Sequence, residues 1–365
     1  MKKNARDFMV EYKTECIHFT GEKPCVYDIH CKECLKFSPR GKKILVIATH
    51  TLKELMPVTS IFEGLTAQYD KSYITLLIDN ENLWVFEENK MINEIIIYEP
   101  VNIFFLLTRK FDILINLDTT YKGTSLTSLI NAEEKLGIGI SKEGNIIPLN
   151  ERADPWFQTK IISSKRRENV KSIPNLLYDS IRLSYRNQEY YLPFDESFRK
   201  QGIEYLKSKG IFLKKPAVCL SALGSTGELP LMLLPQHIDI LFDLLTKEGL
   251  FTIVLCEQKR VDDRNYILSS SVDNKTRAAI ISCFDIMVSG DTLDLHLAIA
   301  LKLKTIGIFG PTLHQEVSLF GRGTKVVSDK TCAPCLKDKC IYPEDNCMKK
   351  INVNGLIKVV QKLIG

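Results

Sequence analysis

Short apolar runs recur from residue 43 onward, and stretches with helical spacing fall between them. In the first half the runs are residues 43–49, 73–78, 94–98 and 112–117. Runs this short, with no polar alternation, suit strands buried on both faces of a parallel sheet. Between the first two, Val58, Ile61, Phe62 and Leu65 share one helix face, and residues 124–136 read as another helix. The pattern lapses over residues 151–210, which are more polar and richer in tyrosine and predict connecting helices. It restarts with apolar runs at 217–221, 251–256, 284–289 and 305–309. A helix is predicted over 235–247, with Ile238, Leu241, Phe242 and Leu245 on one face and Gly249 as its stop. A last helix is predicted over 353–363. Strands alternating with helices mean βαβ units, so the expected fold class is α/β with two doubly wound, Rossmann-like halves facing a cleft. Ligands of such sheets bind beyond the carboxyl ends of the strands, here in that cleft. The expected division is an extension over 1–40, one domain over 41–190 and a second over 191–365.

Length agrees, since 365 residues at roughly 150 per domain give two domains and an appendage. No apolar run approaches the roughly 20 residues of a membrane helix. Residues 1–15 hold no apolar core segment, so no secretory signal is read there and a reducing, cytoplasmic location is expected. A net charge of +5 gives no argument for nucleic acid, and basic residues are not interleaved with aromatics as single-strand binding needs. The charge is uneven, however. Residues 158–215 hold 13 Lys and Arg against 6 Asp and Glu, with Lys165-Arg166-Arg167 near the start. Such a run is a solvated helix surface or a basic face near a phosphorylated or membrane-surface substrate.

Eleven cysteines are many for a reduced chain, and eight of them are clustered. Cys16, Cys25, Cys31 and Cys34 form one quartet; Cys332, Cys335, Cys340 and Cys347, within 332–347, form the other. Each contains one C-x2-C, a spacing that lets two thiolates grip one ion from a tight turn. A structural zinc or iron site is the sharp reading of each quartet, with His18 and His30 as substitutes in the first. Reduced cysteine-rich loops and disulfides are the alternatives. Cys219, Cys256 and Cys283 stand alone among apolar residues and read as small buried hydrophobes.

The most informative stretch is Ser289-Gly-Asp-Thr-Leu-Asp-Leu-His-Leu-Ala298. A strand ends, Gly290 turns the chain, and a helix starts near Thr292, with Asp291 or Thr292 expected to cap it. The unpaired N–H groups of that helix, with its dipole, make an anion site, and His296 lies about one turn in. Gly310-Pro311-Thr312 turns at the same end of the sheet, placing Thr312 toward the same ligand. The small residues around Ser225 and Thr226, after the strand at 217–221, suit close approach of a phosphate. An ordinary capped helix and plain loops are the bland readings of these features.

Asp291-Thr292 … His296-Leu297-Ala298 followed by Phe309-Gly-Pro-Thr312 is similar to the donor-site signature of glycosyltransferase family 9, the ADP-heptose:lipopolysaccharide heptosyltransferases. The resemblance runs from about Lys43 to the C-terminus. Cys332-Ala-Pro-Cys335 … Cys340 … Cys347-Met348 resembles a pattern of many members, and the first quartet, with Lys23-Pro-Cys25, an extension of a subset. The resemblance implies a GT-B fold, with the acceptor on the N-terminal domain and an ADP-sugar on the C-terminal one. It also implies inversion at the anomeric carbon and no catalytic metal. On it, Asp291, Thr292, Leu293, His296, Gly310, Thr312, Ser225 and Thr226 are expected to bind the nucleotide sugar.

Three positions depart from the family pattern. The family's Gly-Asp after the first strand is Lys53-Glu54 here, with Glu54 as the expected base; a carboxylate within reach can take the acceptor proton. The phosphate-binding lysine ahead of Trp-Pro is Met232, with Lys259, Arg260 or Lys302 as candidate replacements. The glycine after Asp-Thr is Leu293. The leading expectation is a heptosyltransferase-like enzyme acting on a cell-envelope glycan of the lipopolysaccharide-core kind or on a protein acceptor, with peripheral contact to the inner membrane. A non-catalytic relative that binds a nucleotide sugar is the alternative. A nucleotide-sugar epimerase is a third reading, without its expected acid and histidine pairs.

Overall fold

The structure is a computed structural model that describes residues 12–222, 230–256, 266–268, 271–337 and 339–364. The first half runs β1 (Lys43–Ala48), α1 (Leu52–Val58), α2 (Ile61–Gln68), β2 (Tyr73–Ile78), β3 (Glu94–Ile97), α3 (Pro100–Leu107), β4 (Lys110–Asn116), α4 (Tyr121–Leu129), β5 (Asn131–Ile140) and β6 (Ile146–Pro148). Its sheet has the order β3-β2-β1-β4-β5-β6. All neighbours are parallel except the β5–β6 pair. In β1, Ile44 to Ala48 have no exposed surface, as a strand covered on both faces requires.

Connecting helices follow: α5 (Asp154–Ile161), α6 (Ser163–Glu168), α7 (Ile173–Ser180) and α8 (Glu196–Ser208). The second half runs β7 (Ala217–Ala222), α9 (Pro235–Lys247), β8 (Phe251–Cys256), β9 (Tyr266–Leu268), α10 (Asn274–Ile281), β10 (Ile286–Gly290), α11 (Leu293–Ala300), β11 (Lys304–Phe309), β12 (Gly323–Val327) and α12 (Val353–Ile364). Its strands are all parallel, in the order β12-β11-β10-β7-β8-β9. These are two Rossmann-like sheets in the GT-B arrangement. The order reverses beside β1 in the first sheet and beside β7 in the second. The chain leaving β1 carries Lys53 and Glu54, and the chain leaving β10, next to β7, carries Asp291. Both therefore emerge at switch points, where such sheets bind ligands.

Two expectations need correction. The helix predicted over 124–136 ends at Leu129, and β5 begins at Asn131. The stretch Ala-Glu-Glu-Lys-Leu favours a helix locally, but pairing with β4 overrides it: Ile115 lies opposite Leu136, and both are buried. Gly137, at φ 91°, could not continue a helix. The apolar face through Val58 and Leu65 belongs to two helices, the first ending at Val58 with Pro57 inside it and the second beginning at Ile61.

The basic run on α6 is a solvated face at Lys165, while Arg166 and Arg167 also reach the other half. Arg166 donates to both oxygens of Glu316, at 2.9 and 2.7 Å, and Arg167 donates to the Cys335 carbonyl at 3.2 Å. Arg322 makes a second two-pronged pair with Glu189, at 2.7 and 2.9 Å. Such fork-to-fork pairs fix geometry as well as charge.

At the end of β10, a Cβ on Gly290 would lie 1.7 Å from the carbonyl oxygen of Leu231 and 3.0 Å from Cα of Met232. Only glycine lets that segment pass so close to the strand end. Gly290→Ala is expected to destabilise the protein by about 1–3 kcal/mol, the usual cost of overpacking, read from the shift in a denaturant melt.

Candidate functional site

A cavity of about 290 Å³ lies between the halves. The segment after β1 supplies His50, Lys53 and Glu54; the second half supplies Asp291, His296 and Glu316. The helices behind these residues, α1 and α11, pack directly on each other across the cleft. Trp156 and Lys160 of α5 form part of another wall, with the Lys160 ammonium 5.8 Å from the centre of the Trp156 ring.

Asp291 is the electrostatic centre. The Lys53 ammonium crosses the cleft to its carboxylate at 2.9 Å and to its main-chain oxygen at 2.7 Å. His296 Nε2 lies 3.2 Å from the same carboxylate oxygen. Burial alone would raise the Asp291 pKa; the charge of Lys53 and the bond to His296 reverse this and hold the carboxyl well below its ordinary range. Burial pushes the His296 imidazole the other way, below its ordinary value, against the pull of Asp291. The ring is stacked on Tyr190 at 6.0 Å, which fixes its plane. Asp294, in the first turn of α11, is buried and accepts from Ser221 at 2.6 Å, tying β7 to α11; burial raises its pKa.

Neither expected residue caps α11. Thr292 sits at the cap position without a side-chain bond to the helix, its hydroxyl lying 3.0 Å from that of Ser289. The Asp291 carboxylate is turned to Lys53 and His296 instead. The first N–H groups of α11 thus have no side-chain acceptor at the cap, and the helix dipole makes that end attractive to an anion.

The family model for glycosyltransferase family 9 (heptosyltransferase) matches residues 105–345. The chain belongs to glycosyltransferase family 9. It is 31% identical over 91 residues to lipooligosaccharide heptosyltransferase 2 of Campylobacter jejuni, a match covering 24% of this chain and 29% of that protein. Its fold is similar to that of the glycosyltransferase family 9 protein from Veillonella parvula, with TM-score 0.67, 16% identity, and 90% of this chain and 98% of that one covered. E. coli ADP-heptose lps heptosyltransferase II is also similar in fold, with TM-score 0.64, 13% identity, and 88% and 98% covered.

Of the residues that the sequence singled out in this family 9 chain, Glu54, Asp291 and His296 line the one cavity. Glu54 is exposed and accepts a hydrogen bond from Thr51 at 2.9 Å. Thr292, Leu293, Gly310 and Thr312 are not among the described residues lining it. The Gly310 turn instead packs on the second cysteine segment: a Cβ there would lie 2.6 Å from Cys347 Sγ. The Thr312 hydroxyl has no hydrogen-bond partner among the described residues. Ser225, Thr226, Lys259 and Arg260 lie outside the described residues. Lys302 follows the far end of α11, about 12 Å of helix from Asp291. Sequence reasoning missed His50, Lys160 and Glu316 as cavity residues. It noted Lys53 only as a departure from the family pattern.

All eleven cysteines are free thiols, so neither quartet is disulfide-bonded. Cys219, Cys256 and Cys283 are buried in the core as expected. Among the described residues no three Cys, His, Asp or Glu side chains are grouped closely enough to hold an ion. In the second quartet, burial and the neighbouring Cys335, Cys332 and Cys340 push the Cys347 thiol up to about 11.

The depressed pKa of His296 gives a pH prediction. Below about pH 6.5 the unfolded chain gains a proton that the folded imidazole resists, so stability falls as the pH drops from 7 to 5. Asp291 stays ionised throughout that window and does not add to the slope. His296→Gln is expected to flatten the fall in Tm across this range relative to the wild type.

Proposed function

We propose that this chain transfers a sugar from a nucleoside diphosphate donor to a hydroxyl acceptor, inverting the anomeric centre. Residues 191–365 hold the donor and 41–190 the acceptor. The carrying observation is the cavity that sets the Glu54 carboxylate of one half opposite the Asp291 turn of the other. Family membership supports the reaction class, and the relatives' heptosyltransferase activities support an ADP-heptose-like donor and a lipopolysaccharide-core-like acceptor. A protein acceptor is the alternative.

The chemistry follows from the charges. Glu54 accepts the proton of the acceptor hydroxyl as its oxygen attacks the anomeric carbon. The bond from that carbon to the diphosphate oxygen breaks on the opposite face, leaving negative charge on the diphosphate. The N–H groups opening α11 meet that charge, and because they are already oriented no reorganisation is needed. Asp291 is tied to His296 and Lys53, which fixes the turn that presents those groups. Closure of the halves keeps water from the donor. This sequence uses protein groups for both base and countercharge and asks no metal of the chemistry. The enzyme would work at the cytoplasmic face of the membrane, where an envelope precursor and a nucleotide sugar meet.

A second reading, a nucleotide-sugar-binding relative without turnover, is favoured by Met232. That side chain is only 6% exposed and stands where the family pattern has a cation. The second cysteine quartet supports a structural zinc or iron ion, because Cys332, Cys335 and Cys340 line one pocket and, with burial, push the nearby Cys347 thiol up, a crowding that a soft cation would ease. Such an ion would brace the Gly310 turn, which packs on Cys347.

Glu54→Gln is expected to lower transfer by roughly a hundredfold or more while nucleotide affinity stays unchanged. Unchanged turnover would remove Glu54 as the base. Failure of the wild type to turn over any donor that it binds would favour the binding relative. Elemental analysis of the purified protein is expected to find about one ion per chain, and a chelator to lower the Tm. A metal-free protein indifferent to chelation would reject the ion.

A further inference from the structure

Among the described residues, the half that carries the α11 turn supplies little free positive charge to it. Asp291 and Asp294 are both acids, and Met232 is the side chain whose backbone lies against Gly290. Arg277, 3.8 Å from Asp294, is committed to that acid. An incoming diphosphate would meet helix N–H groups but also two carboxylates. Those N–H groups alone are a weak lure for a dianion beside a buried aspartate.

The cation already at the turn comes from the opposite half. Lys53 Nζ places two of its three donors on Asp291, one on the main-chain oxygen and one on the carboxylate. Its side chain remains 35% exposed and lines the cavity. The other cavity cations are placed differently: Arg166 is clamped by Glu316, and Lys160 lies by Trp156. His50, only 8% exposed, lines the same cavity.

We infer that Lys53 binds the diphosphate of the donor, supplying from the acceptor half the charge that Met232 cannot supply from the donor half. The inference rests on the donor-site reading above and makes the phosphate site complete only when the halves meet. Lys53 neutralises Asp291 across the cleft and turns its third donor, then its charge, to the phosphates as they arrive. The transfer step itself is unchanged in its bonds. Lys53 gives up no proton and offsets the charge that grows on the leaving diphosphate. Donor binding and cleft closure are thereby coupled, since each brings Lys53 to the anion.

The test is calorimetric titration of the full chain with ADP, GDP, UDP and CDP and with the four monophosphates. The wild type is expected to favour its diphosphate over the matching monophosphate. Lys53→Met is expected to cut diphosphate affinity by roughly ten- to a hundredfold, as loss of a charged hydrogen bond does, and to leave the monophosphate almost unchanged. Lys53→Arg is expected to retain the preference, and the double variant Lys53→Met/Met232→Lys to regain much of it. A melt of each variant confirms that it is folded. Equal losses for diphosphate and monophosphate, as mere loosening of the turn would give, overturn the assignment. Undiminished diphosphate binding by Lys53→Met overturns it too. If the wild type binds none of the eight nucleotides, the donor-site reading itself falls, and this inference with it.

Discussion

A buried carboxylate with a cation on one side and an imidazole on the other sets the terms for the rest of this molecule. Asp291 sits where β10 ends, beneath a helix whose first N–H groups lack a side-chain cap. Left alone there, the carboxyl would be pushed toward its neutral form, because burial disfavours its charge. Lys53 keeps it ionised from across the cleft, and His296 holds it from within its own helix. A carboxylate so held can neither cap α11 nor swing away, so the turn that it belongs to is fixed. The same contact draws α1 against α11 and closes the cavity between the sheets. One interaction thus orders the turn, joins the halves and balances charge at the place where an anion is expected.

The other contacts between halves repeat this logic farther out. Arg166 and Arg322 each grip a carboxylate with two nitrogens, across 150 and 133 residues of sequence respectively. Arg167, beside the first of these, reaches the Cys335 carbonyl. The cysteine segment in turn backs the Gly310 turn through Cys347 and Met348. A chain of packed contacts therefore runs from the basic run of α6, through the second quartet, to the strand ends of the second sheet. That placement gives the cysteines a mechanical part near the site without giving them a part in the chemistry.

Much of the fold was legible because buried parallel strands leave a plain mark. β1, β2, β7 and β8 are short runs with almost no polar residue, and their limits are readable to within a residue or two. β5 was misread because Ala-Glu-Glu-Lys-Leu has helical propensity, and only the neighbouring β4 makes it a strand. The short edge strands β6, β9 and β12 were not read from the sequence, since three to five residues are too few to show a period. In the site, Glu54, Asp291 and His296 could be named because each lies at a fixed offset from a strand end. His50, Lys160 and Glu316 could not, because nothing local distinguishes them from surface residues.

The amino-acid sequence determined the two α/β halves, the family and the strand-to-helix turn at Asp291, because periodicity and turn spacing are local properties. It also registered the loss of a lysine at Met232. What only the tertiary structure decided is which charges meet. Lys53 and Asp291 are 238 positions apart, and their partnership depends on how two sheets face each other. Coulomb energies depend on distance and burial through space, and neither quantity is written in the spacing of residues along a chain.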